Sequence, residues 1–573
     1  MAMPAADIDT HSQAPDAALS VAGLTVTFPG PDGPTAVVED VGFSIPAGAV
    51  LGLVGESGAG KSMIGKALIG LVEAPGRVAA GRVTLDGSAR DARRPKALAP
   101  LRGRRIGSVF QDPMTSLNPL LTVGDQLAET IATHTGLNGE AARRRGLDLL
   151  DQVGLPEPAA RWTNFPHQLS GGMRQRVVIA LALAGEPRVI VADEPTTALD
   201  VSLQAQITGL LQRLCRDNRI AVLLITHDMG VVAETADRVA VMRAGRIVEA
   251  GPAAQVLAQP RHAYTRALLA CIPQPANPRP RLPTVAAPSP AVPAARRMHT
   301  GDGAARQPIL GVHGLRKSFA GGRGLRDWLT GRRPAHLAAA DISFALYRGE
   351  TLALVGESGS GKTTVARCVA GLLTPESGAV TLDGMDWRDP GVRRRHRGRL
   401  QMIFQDPFSS LNPRLRVGAI IAEPLKSLQP TLSPAQRRAR IAELLGQVGL
   451  PPDSAERFPH AFSGGQRQRI AIARALAAAP DVLICDEPTS ALDVSVQAQI
   501  LNLMRDLQDS AGLGYLFITH DLGVVHHMAD RVIVMQQGRI VESGPCAAVF
   551  GAPQHPYTRS LLAAIPRLPQ AAA

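Results

Sequence analysis

The sequence predicts an α/β protein made of two tandem copies of one domain, each built on a mainly parallel sheet. Five motifs occur twice in the same order. Each copy also contains an apolar run that leads into a glycine-rich loop, and a second apolar run that ends in paired carboxylates. Because 573 residues are too many for one hydrophobic core, chain length also favours at least two domains.

The repeat is the strongest of these observations. The segment VGESGAGKS from Val54 returns as VGESGSGKT 301 residues later. FQDPMTSLNP from Phe110 returns as FQDPFSSLNP after 294 residues, and SGGMRQR from Ser170 returns as SGGQRQR after 293. DEPTTALDVS and THD return 293 residues later as DEPTSALDVS and THD. Five motifs at nearly constant spacing indicate a duplicated domain.

A proline-rich interval, 273–308, separates the two copies. Proline fixes φ and lacks the N–H that helices and sheets need, so this interval predicts a semi-extended linker rather than a folded insert. We therefore expect domains at 19–272 and 309–573, preceded by a disordered N-terminal tail at 1–18.

The composition argues against several classes of protein. The chain contains no run of about 18 apolar residues, the length that a membrane helix needs. Its first fifteen residues carry Asp7 and Asp9, whereas a signal peptide would be basic and then apolar. The cysteines form no Cys-x-x-Cys pair, which favours free thiols packed in cores and a reducing compartment over a disulfide framework or a metal site. They are Cys215, Cys271, Cys368, Cys485 and Cys546.

The net charge of +12 could indicate a nucleic acid or an anionic membrane as partner. Arginines cluster at Arg102–Arg105, Arg143–Arg145 and Arg393–Arg399. Aromatic residues make up only 3% of the chain, so few side chains could stack on bases. We expect no nucleic-acid partner and interpret the clusters as solvated surface, with lipid headgroups or a partner protein as alternatives.

The glycine-rich motif of each copy follows an apolar strand and precedes a helix. In the first copy the run Val50 to Val54 ends at Gly55, and apolar residues then recur with helical spacing. That helical face is formed by Ile64, Ala67, Leu68 and Leu71, and in the second copy by Val365, Cys368, Val369 and Leu372. A strand–loop–helix context is the one in which Gly-x-x-x-x-Gly-Lys-Ser/Thr binds phosphate.

The residue types of this motif suit a nucleotide. Glycines let the backbone wrap closely around phosphate, while N–H groups and a helix N-terminus favour negative charge. Lys61 and Lys362 would contact the β- and γ-phosphates, and Ser62 and Thr363 would offer hydroxyls to Mg²⁺. The remaining loop residues predicted to bind nucleotide are Gly55, Ser57, Gly58 and Gly60, and Gly356, Ser358, Gly359 and Gly361.

The paired carboxylates follow continuous apolar runs, which are typical of parallel strands buried on both faces. They would lie at the carboxyl edge of the sheet, where α/β proteins bind ligands. Asp193 and Asp486 fit a role in orienting Mg²⁺. Glu194 and Glu487 fit the base that polarises the attacking water.

With LSGGMRQR from Leu169 and FSGGQRQR from Phe462, the chain resembles the ATP-binding-cassette (ABC) ATPases over nearly its whole length. The resemblance implies ATP and Mg²⁺ as cofactors. It also implies two P-loop domains, each with a mainly parallel core sheet, an antiparallel β part and a helical signature subdomain. In that family two cassettes pair head to tail, and each ATP lies between one phosphate loop and the other cassette's signature.

The resemblance assigns further roles. The signatures Ser170, Gly171 and Gly172, and Ser463, Gly464 and Gly465, would each face the other copy's phosphate loop. Gln111 and Gln405 would sense Mg²⁺ and the membrane partner, and His227 and His520 would contact the γ-phosphate. Phe28 and Phe319 would stack on adenine, although the second copy has 37 positions from that phenylalanine to the loop glycine against 27 in the first. Both copies keep all these residues, so two hydrolysis-competent sites are expected.

Each copy ends in a tail, PRHAYTRALLACIP from Pro260 and PQHPYTRSLLAAIP from Pro553, similar to that of the dipeptide, oligopeptide and nickel importer ATPases. The first tail departs from the family pattern at Ala263. The resemblance implies a fused import motor, peripheral on the cytoplasmic face of the inner membrane. It would act with two permease subunits and, indirectly, with an extracytoplasmic solute-binding protein. The alternative is a soluble paired-cassette ATPase acting on ribosomes, which the proline-rich linker disfavours.

Overall fold

The computed structural model describes residues 17–196, 199–273, 280–285, 307–320, 335–490 and 492–565. The chain divides into two compact units. The first contains the described residues up to Leu269, and the second those from Ala270 to Ile565. Of the predicted N-terminal tail, 1–16 lie outside the described residues, while Ala17 and Ala18 begin the first strand.

The first unit contains two sheets. Its strands are β1 (Ala17–Gly30), β2 (Gly33–Pro46), β3 (Val50–Gly55), β4 (Arg77–Leu85), β5 (Ser88–Asp91), β6 (Ile106–Val109), β7 (Val189–Asp193), β8 (Ala221–Ile225), β9 (Arg238–Arg243) and β10 (Arg246–Pro252). The core sheet has the order β10-β9-β3-β8-β7-β6 and is parallel except for β10. A four-stranded antiparallel sheet, β2-β1-β4-β5, packs beside it.

The helices of this unit complete the cassette. They are α1 (Lys61–Leu68), α2 (Pro95–Leu98), α3 (Pro113–Ser116), α4 (Val123–Thr135), α5 (Gly139–Gln152), α6 (Pro158–Arg161), α7 (Gly171–Leu183), α8 (Val201–Asp217), α9 (Met229–Thr235), α10 (Ala253–Ala258) and α11 (Ala263–Ala270). Helices α3 to α7 lie between β6 and β7 in the chain and form the predicted helical subdomain, with α4, α5 and α7 sharing one hydrophobic cluster.

The second unit repeats this arrangement. Its strands are β11 (Leu310–Ala320), β12 (Ala335–Leu346), β13 (Thr351–Val355), β14 (Ser377–Leu382), β15 (Met385–Asp386), β16 (Leu400–Ile403), β17 (Val482–Asp486), β18 (Gly514–Ile518), β19 (Arg531–Gln536) and β20 (Arg539–Pro545). Its helices are α12 (Lys362–Val369), α13 (Pro390–His396), α14 (Pro407–Ser410), α15 (Val417–Leu428), α16 (Pro434–Gln447), α17 (Gly464–Leu476), α18 (Val494–Ala511), α19 (Leu522–Met528), α20 (Cys546–Gly551) and α21 (Pro556–Ala563).

The second unit also has the same two sheets, β12-β11-β14-β15 and β16-β17-β18-β13-β19-β20. Its central strands β13, β17 and β18 are buried along their whole length, which explains why they read as continuous apolar runs. All five cysteines are buried free thiols, as the composition predicts. Among the residues described, no helix is long and apolar enough to cross a membrane.

The helices after the phosphate loops are shorter than the sequence pattern predicts. Helix α1 ends at Leu68, and Leu71 is 40% exposed. Helix α12 ends at Val369, and Leu372 is 57% exposed. In the first copy Gly70 has a φ of 64°, in the left-handed region that ends helices. The prediction that these two leucines belong to one face of the helix is therefore wrong.

Part of the interval predicted as a linker packs on the second unit. Leu282 is 4% exposed and joins the hydrophobic cluster of α15 to α18. Its backbone N–H donates to Asn502 on α18, and its carbonyl accepts from the same side chain, at 2.9 and 2.8 Å. Arg281 pairs with Asp506 and Asp509 of that helix. Most other residues of the interval lie outside the described ones.

Candidate functional site

The phosphate loops follow the central strands β3 and β13, and glycine is required at both ends. Gly55 and Gly60 have φ values of 152° and 99°, and a Cβ at either position would collide with a backbone carbonyl, that of Met242 or Val37. Gly356 and Gly361 are under the same constraint in the second unit. The loop can therefore lie close against neighbouring strands only because these side chains are absent.

The lysine of each loop is folded back on the loop itself. Lys61 Nζ donates to the carbonyl oxygens of Gly55 and Glu56 at 2.7 and 2.9 Å. Lys362 Nζ donates to those of Gly356 and Glu357 at 2.7 and 2.8 Å. Both lysines are only 6% exposed. A buried ammonium held by neutral carbonyls within a glycine-rich loop suits an anionic ligand such as a phosphate chain.

The predicted metal-binding hydroxyls and carboxylates meet in both units. Ser62 Oγ donates to Asp193 Oδ1 at 3.0 Å, and Thr363 Oγ1 donates to Asp486 Oδ1 at 3.2 Å. Burial raises the pKa of both aspartates above the usual range, and the neighbouring glutamate in each pair adds to the rise. A hydroxyl next to a carboxylate whose charge is poorly solvated is a fitting donor set for a hard cation.

The predicted base lies between the other two predicted polar residues in each unit. Glu194 accepts from Gln111 Nε2 at 2.7 Å, and its other oxygen lies 3.1 Å from His227 Nδ1. In the second unit Glu487 accepts from Gln405 Nε2 at 2.9 Å and lies 3.2 Å from His520 Nδ1. Residues that the sequence places more than 30 positions apart thus form one cluster.

The pKa values of the two histidines of this cluster are shifted by their surroundings. Burial disfavours the imidazolium, but the hydrogen bond and negative charge of the glutamate outweigh it, so the pKa values of His227 and His520 rise above the ordinary value. Burial likewise disfavours the carboxylate of Glu487, but His520 lowers the pKa of that carboxyl. Each glutamate–histidine contact therefore favours the charged form of the imidazole.

Each signature begins a helix of 13 residues. Ser170 caps α7 by accepting from the N–H of Met173, and Ser463 caps α17 by accepting from that of Gln466, both at 3.4 Å. A Cβ on Gly465 would collide with Val496, and one on Gly172 would collide with Leu203. The pairing of each signature with the other cassette's phosphate loop remains a prediction.

The two candidate adenine-stacking residues differ in their surroundings. Phe28 is half-buried on β1 and packs against Gly76, where a Cβ would collide with its ring. Phe319 on β11 is 42% exposed, and Lys317 Nζ lies 5.6 Å from its ring centroid. Their role toward adenine remains a prediction.

Two arginines of the signature helices are a feature that the sequence reasoning missed. Arg174 Nε donates to the carbonyl of Pro166 at 2.6 Å, and its Nη1 lies 2.8 Å from Met114 Sδ. Arg467 Nε donates to the carbonyl of Pro459 at 2.8 Å, and its guanidinium lies 3.9 Å from the centroid of Phe408. In both units the arginine joins the glutamine-containing loop to the signature. The sequence signal for this contact was an arginine at the second position of both MRQR and QRQR.

Family comparison agrees with this geometry. The ABC transporter family model matches residues 38–197 and 339–490, one match in each unit. This chain belongs to the ABC transporter family. A second model, the oligopeptide/dipeptide transporter C-terminal region, matches residues 248–301 and 541–573 of this ABC protein. The predicted fold class and family resemblance are confirmed, and the protein is an ATP-binding ABC ATPase.

Curated relatives resemble this ABC protein along nearly its whole length. The glutathione import ATP-binding protein GsiA of Escherichia coli (strain K12) is 46% identical over 572 residues, 97% of this chain and 91% of that protein. The peptidoglycan transport ATP-binding protein YejF of Agrobacterium fabrum is 45% identical over 552 residues, 95% of this chain and 96% of that protein. These names give no support to the ribosomal alternative.

Among solved structures, one from Clostridium perfringens, described as part of an ABC transporter complex, is 28% identical to this ABC protein. It covers 43% of this chain and 91% of its own, with a TM-score of 0.37.

Proposed function

We propose that this protein is the ATP-hydrolysing motor of an ABC importer that takes up peptides or a related small solute through separate permease subunits. The observation that carries this proposal is that both cassettes contain the cluster of glutamine, glutamate and histidine. Each cassette also ends in a tail that matches the oligopeptide/dipeptide transporter C-terminal region. The relatives' names, which refer to glutathione import and peptidoglycan transport, support a peptide-like solute.

The loop residues would hold the nucleotide. The N–H groups of the glycine-rich loop and the buried ammonium of Lys61 or Lys362 would bind the phosphates. Ser62 with Asp193, and Thr363 with Asp486, would hold Mg²⁺. Bound Mg²⁺ would neutralise charge that develops on the transferred phosphoryl group.

The polar cluster would carry out the proton transfer of hydrolysis. The carboxylate of Glu194 or Glu487 accepts a proton from the attacking water. Gln111 and His227, or Gln405 and His520, hold that carboxylate from both sides, which fixes its direction before the water arrives. Because the glutamate raises the pKa of each imidazole, it favours the charged form, which would offer positive charge to a γ-phosphate.

We further propose that each ATP is completed by the signature of the other cassette, as the family resemblance implies. Ser170 and Ser463 each present a hydroxyl at the N-terminus of a helix of 13 residues. A helix start with two glycines next to it gives unhindered N–H groups and a favourable dipole for a γ-phosphate. Two equivalent sites would then act together.

The permease contact would lie beside the glutamine-containing loops. Large apolar side chains are exposed there in both units, which is unusual for a surface without a partner. They are Phe110, Met114, Leu120, Phe408 and Leu415, exposed by 43%, 56%, 82%, 61% and 38%. Two permease subunits, one for each loop, would keep the motor peripheral on the cytoplasmic face of the inner membrane. A solute-binding protein would act on the opposite side of that membrane.

The test is a pull-down of the tagged chain from solubilised native membranes, with ribosomes quantified in the same eluate. Co-purification of two permease subunits is the expected result, and their identity would indicate the solute. A matched tagged variant, L120E/F408E, should recover less permease while hydrolysing ATP at the wild-type basal rate. Ribosomes recovered without permeases would contradict the transport proposal and leave the ATPase activity unaffected.

A further inference from the structure

The tail of each cassette does more than pack a helix onto the domain. In the first tail Tyr264 is 2% exposed, and in the second Tyr557 is 8% exposed. Each tyrosine lies in the first turn of a short helix, α11 or α21, the second helix after the last strand of its core sheet. The ring is thus buried within its own cassette, and the position of its hydroxyl is set by the turn that precedes the helix.

That turn is fixed by a carboxylate and a histidine in both tails. Glu249, on β10, accepts from the N–H groups of Arg261 and His262 at 2.7 and 3.1 Å. His262 Nδ1 then accepts from the N–H of Tyr264 at 3.1 Å, which caps the helix.

The second tail repeats the turn with different neighbours. Glu542 accepts from the N–H groups of Gln554 and His555 at 2.8 and 3.0 Å, and His555 Nδ1 accepts from that of Tyr557 at 3.2 Å. The position before the tyrosine is Ala263 in one tail and Pro556 in the other. The same geometry therefore persists although the adjacent residues differ.

Both tyrosine hydroxyls reach the phosphate loop. Tyr264 Oη accepts from the backbone N–H of Glu56 at 3.3 Å, a contact between residues 208 positions apart. Tyr557 Oη accepts from the N–H of Glu357 at 2.9 Å. These glutamates directly follow Gly55 and Gly356, the first glycines of the two loops.

The other side of the same glutamate is held by the loop lysine. The carbonyl of Glu56 accepts from Lys61 Nζ, and that of Glu357 accepts from Lys362 Nζ. One residue of each loop is therefore fixed by the tail through its N–H and by the lysine through its C=O. Any displacement of the tyrosine shifts the residue against which the lysine is positioned.

We propose that Tyr264 and Tyr557 are positioning residues of the phosphate loops, through which the C-terminal tail of each cassette sets that cassette's affinity for ATP. This inference rests on the proposed role of the loops in binding phosphate. A helix that served only to pack would need the aromatic ring and not the hydroxyl, because phenylalanine buries the same apolar surface. The hydroxyl supports a loop N–H that lies outside any helix or strand and has to be satisfied.

The experiment compares the full-length wild type with Y264F, Y557F and Y264F/Y557F. The double variant keeps both rings and loses both hydroxyls. We expect its KM for ATP to rise about threefold to tenfold, the effect of one hydrogen bond per site, with kcat within about twofold of wild type. Hydrogen exchange followed by mass spectrometry should be faster in the peptides that contain Glu56 and Glu357.

Tyr515 supplies a matched control. Its buried hydroxyl donates to the carbonyl of Met504 at 2.8 Å, within the second cassette and outside the phosphate loop. Y515F should lower the melting temperature without changing the KM for ATP or the exchange of the loop peptides. A KM that rises equally in Y515F and Y557F would show a general effect of lost stability, and would overturn the inference.

Two further variants separate the possible failures. If K61A/K362A still binds ATP with wild-type affinity, the proposed role of the loops is wrong, and the inference about the tails is wrong with it. If K61A/K362A loses binding while Y264F/Y557F keeps the wild-type KM and exchange, only the inference about the tails is wrong. Should the tyrosine variants not fold, H262A/H555A removes the cap of each tail helix and must give the same rise in KM.

Discussion

In both clusters of glutamine, glutamate and histidine, the glutamate has a strained backbone. Glu194 and Glu487 have φ values of 49° and 48°, which non-glycine residues adopt at a cost of about 1–3 kcal/mol. The backbone N–H of each glutamate donates to the end of the neighbouring strand. Glu194 donates to the carbonyl of Ile225 on β8 at 2.8 Å, and Glu487 donates to that of Ile518 on β18 at 2.9 Å. This conformation turns the carboxylate out of the strand, between a glutamine and a histidine. This position of the carboxylate fits the proposed role of these glutamates as the catalytic base.

Replacing both glutamates tests that role. In E194Q/E487Q the amide keeps the size of the side chain but cannot accept a proton from water. We expect ATP binding to remain and steady-state hydrolysis to fall by about two orders of magnitude or more. Phosphate release and nucleotide binding would be measured on the same preparation. Turnover at the wild-type rate would rule out these glutamates as the base.

The buried aspartates predict a trade-off between stability and activity. Because burial raises the pKa of Asp193 and Asp486, their charged forms destabilise the nucleotide-free protein. D193N/D486N should therefore raise the melting temperature without nucleotide by a few degrees, and abolish Mg²⁺-dependent hydrolysis. Differential scanning calorimetry with and without Mg²⁺–ATP would measure both effects. A lower melting temperature of D193N/D486N without nucleotide would contradict the prediction that the charged aspartates destabilise the nucleotide-free protein.

The glutamate–histidine pairs predict a pH dependence. An imidazole whose pKa is raised by folding stabilises the folded protein fully below its ordinary pKa of 6.5, and that contribution disappears as pH rises through the raised value. The difference in melting temperature between wild type and H227Q/H520Q should therefore shrink as pH rises above about 6.5. A difference that grows with rising pH would contradict the raised pKa values of the two histidines.

The signature helix and the glutamine-containing loop are connected differently in the two cassettes. Besides the shared contacts of Arg174 and Arg467, the second cassette has Arg474, whose Nη1 donates to the carbonyl of Ser410 at 2.5 Å. In the first cassette Gln126 on α4 holds the loop instead, through the N–H and carbonyl of Asn118. The additional contact with the glutamine-containing loop therefore comes from the signature helix in the second cassette and from α4 in the first.

Alanine at the shared arginines tests this connection. R174A/R467A removes the contacts with Met114 and Phe408 while the signature serines and glycines remain. We expect basal hydrolysis within about threefold of wild type, since a contact of this kind contributes roughly 0.5–1 kcal/mol, and a larger loss of the stimulation given by permeases in proteoliposomes. R388A, which removes an exposed pair with Asp386, is the control. Equal loss of basal and stimulated activity would argue against coupling.

At the scale of the whole molecule, the segment 280–285 between the two repeats is anchored on the second unit. Arg281 is 18% exposed and pairs with two aspartates of α18 that are 65% and 60% exposed, while Leu282 is buried against the same helix. Among the described residues, 280–285 therefore pack on the second unit, where the proline-rich interval 273–308 predicts a semi-extended linker.

Limited proteolysis tests this anchoring. In the wild type Arg281 should resist trypsin, because its side chain and the backbone of Leu282 are engaged. D506A/D509A leaves the cleavage site intact and should increase the rate of cleavage after Arg281 about tenfold or more. D453A, at an exposed aspartate of another segment, should leave the rate unchanged. Cleavage at the same rate in all three proteins would show that the segment is not held.

The sequence by itself determined the duplication and the α/β class, and it predicted most residues of the candidate site. Glycines, lysines, hydroxyls and carboxylates lie at the ends of buried strands, and strand burial and loop chemistry are local properties with recognisable patterns. It also indicated that the tails and the linker are distinct segments.

The tertiary structure alone decided what those segments touch. Tyr264 reaches a loop N–H 208 residues away, Arg281 pairs with aspartates 225 and 228 residues away, and the helices after the phosphate loops end before Leu71 and Leu372. A single hydrogen bond or ion pair between distant segments has no periodicity and depends on how complete sheets and helices pack. No local pattern in the chain encodes it, and it exists only once the fold has formed.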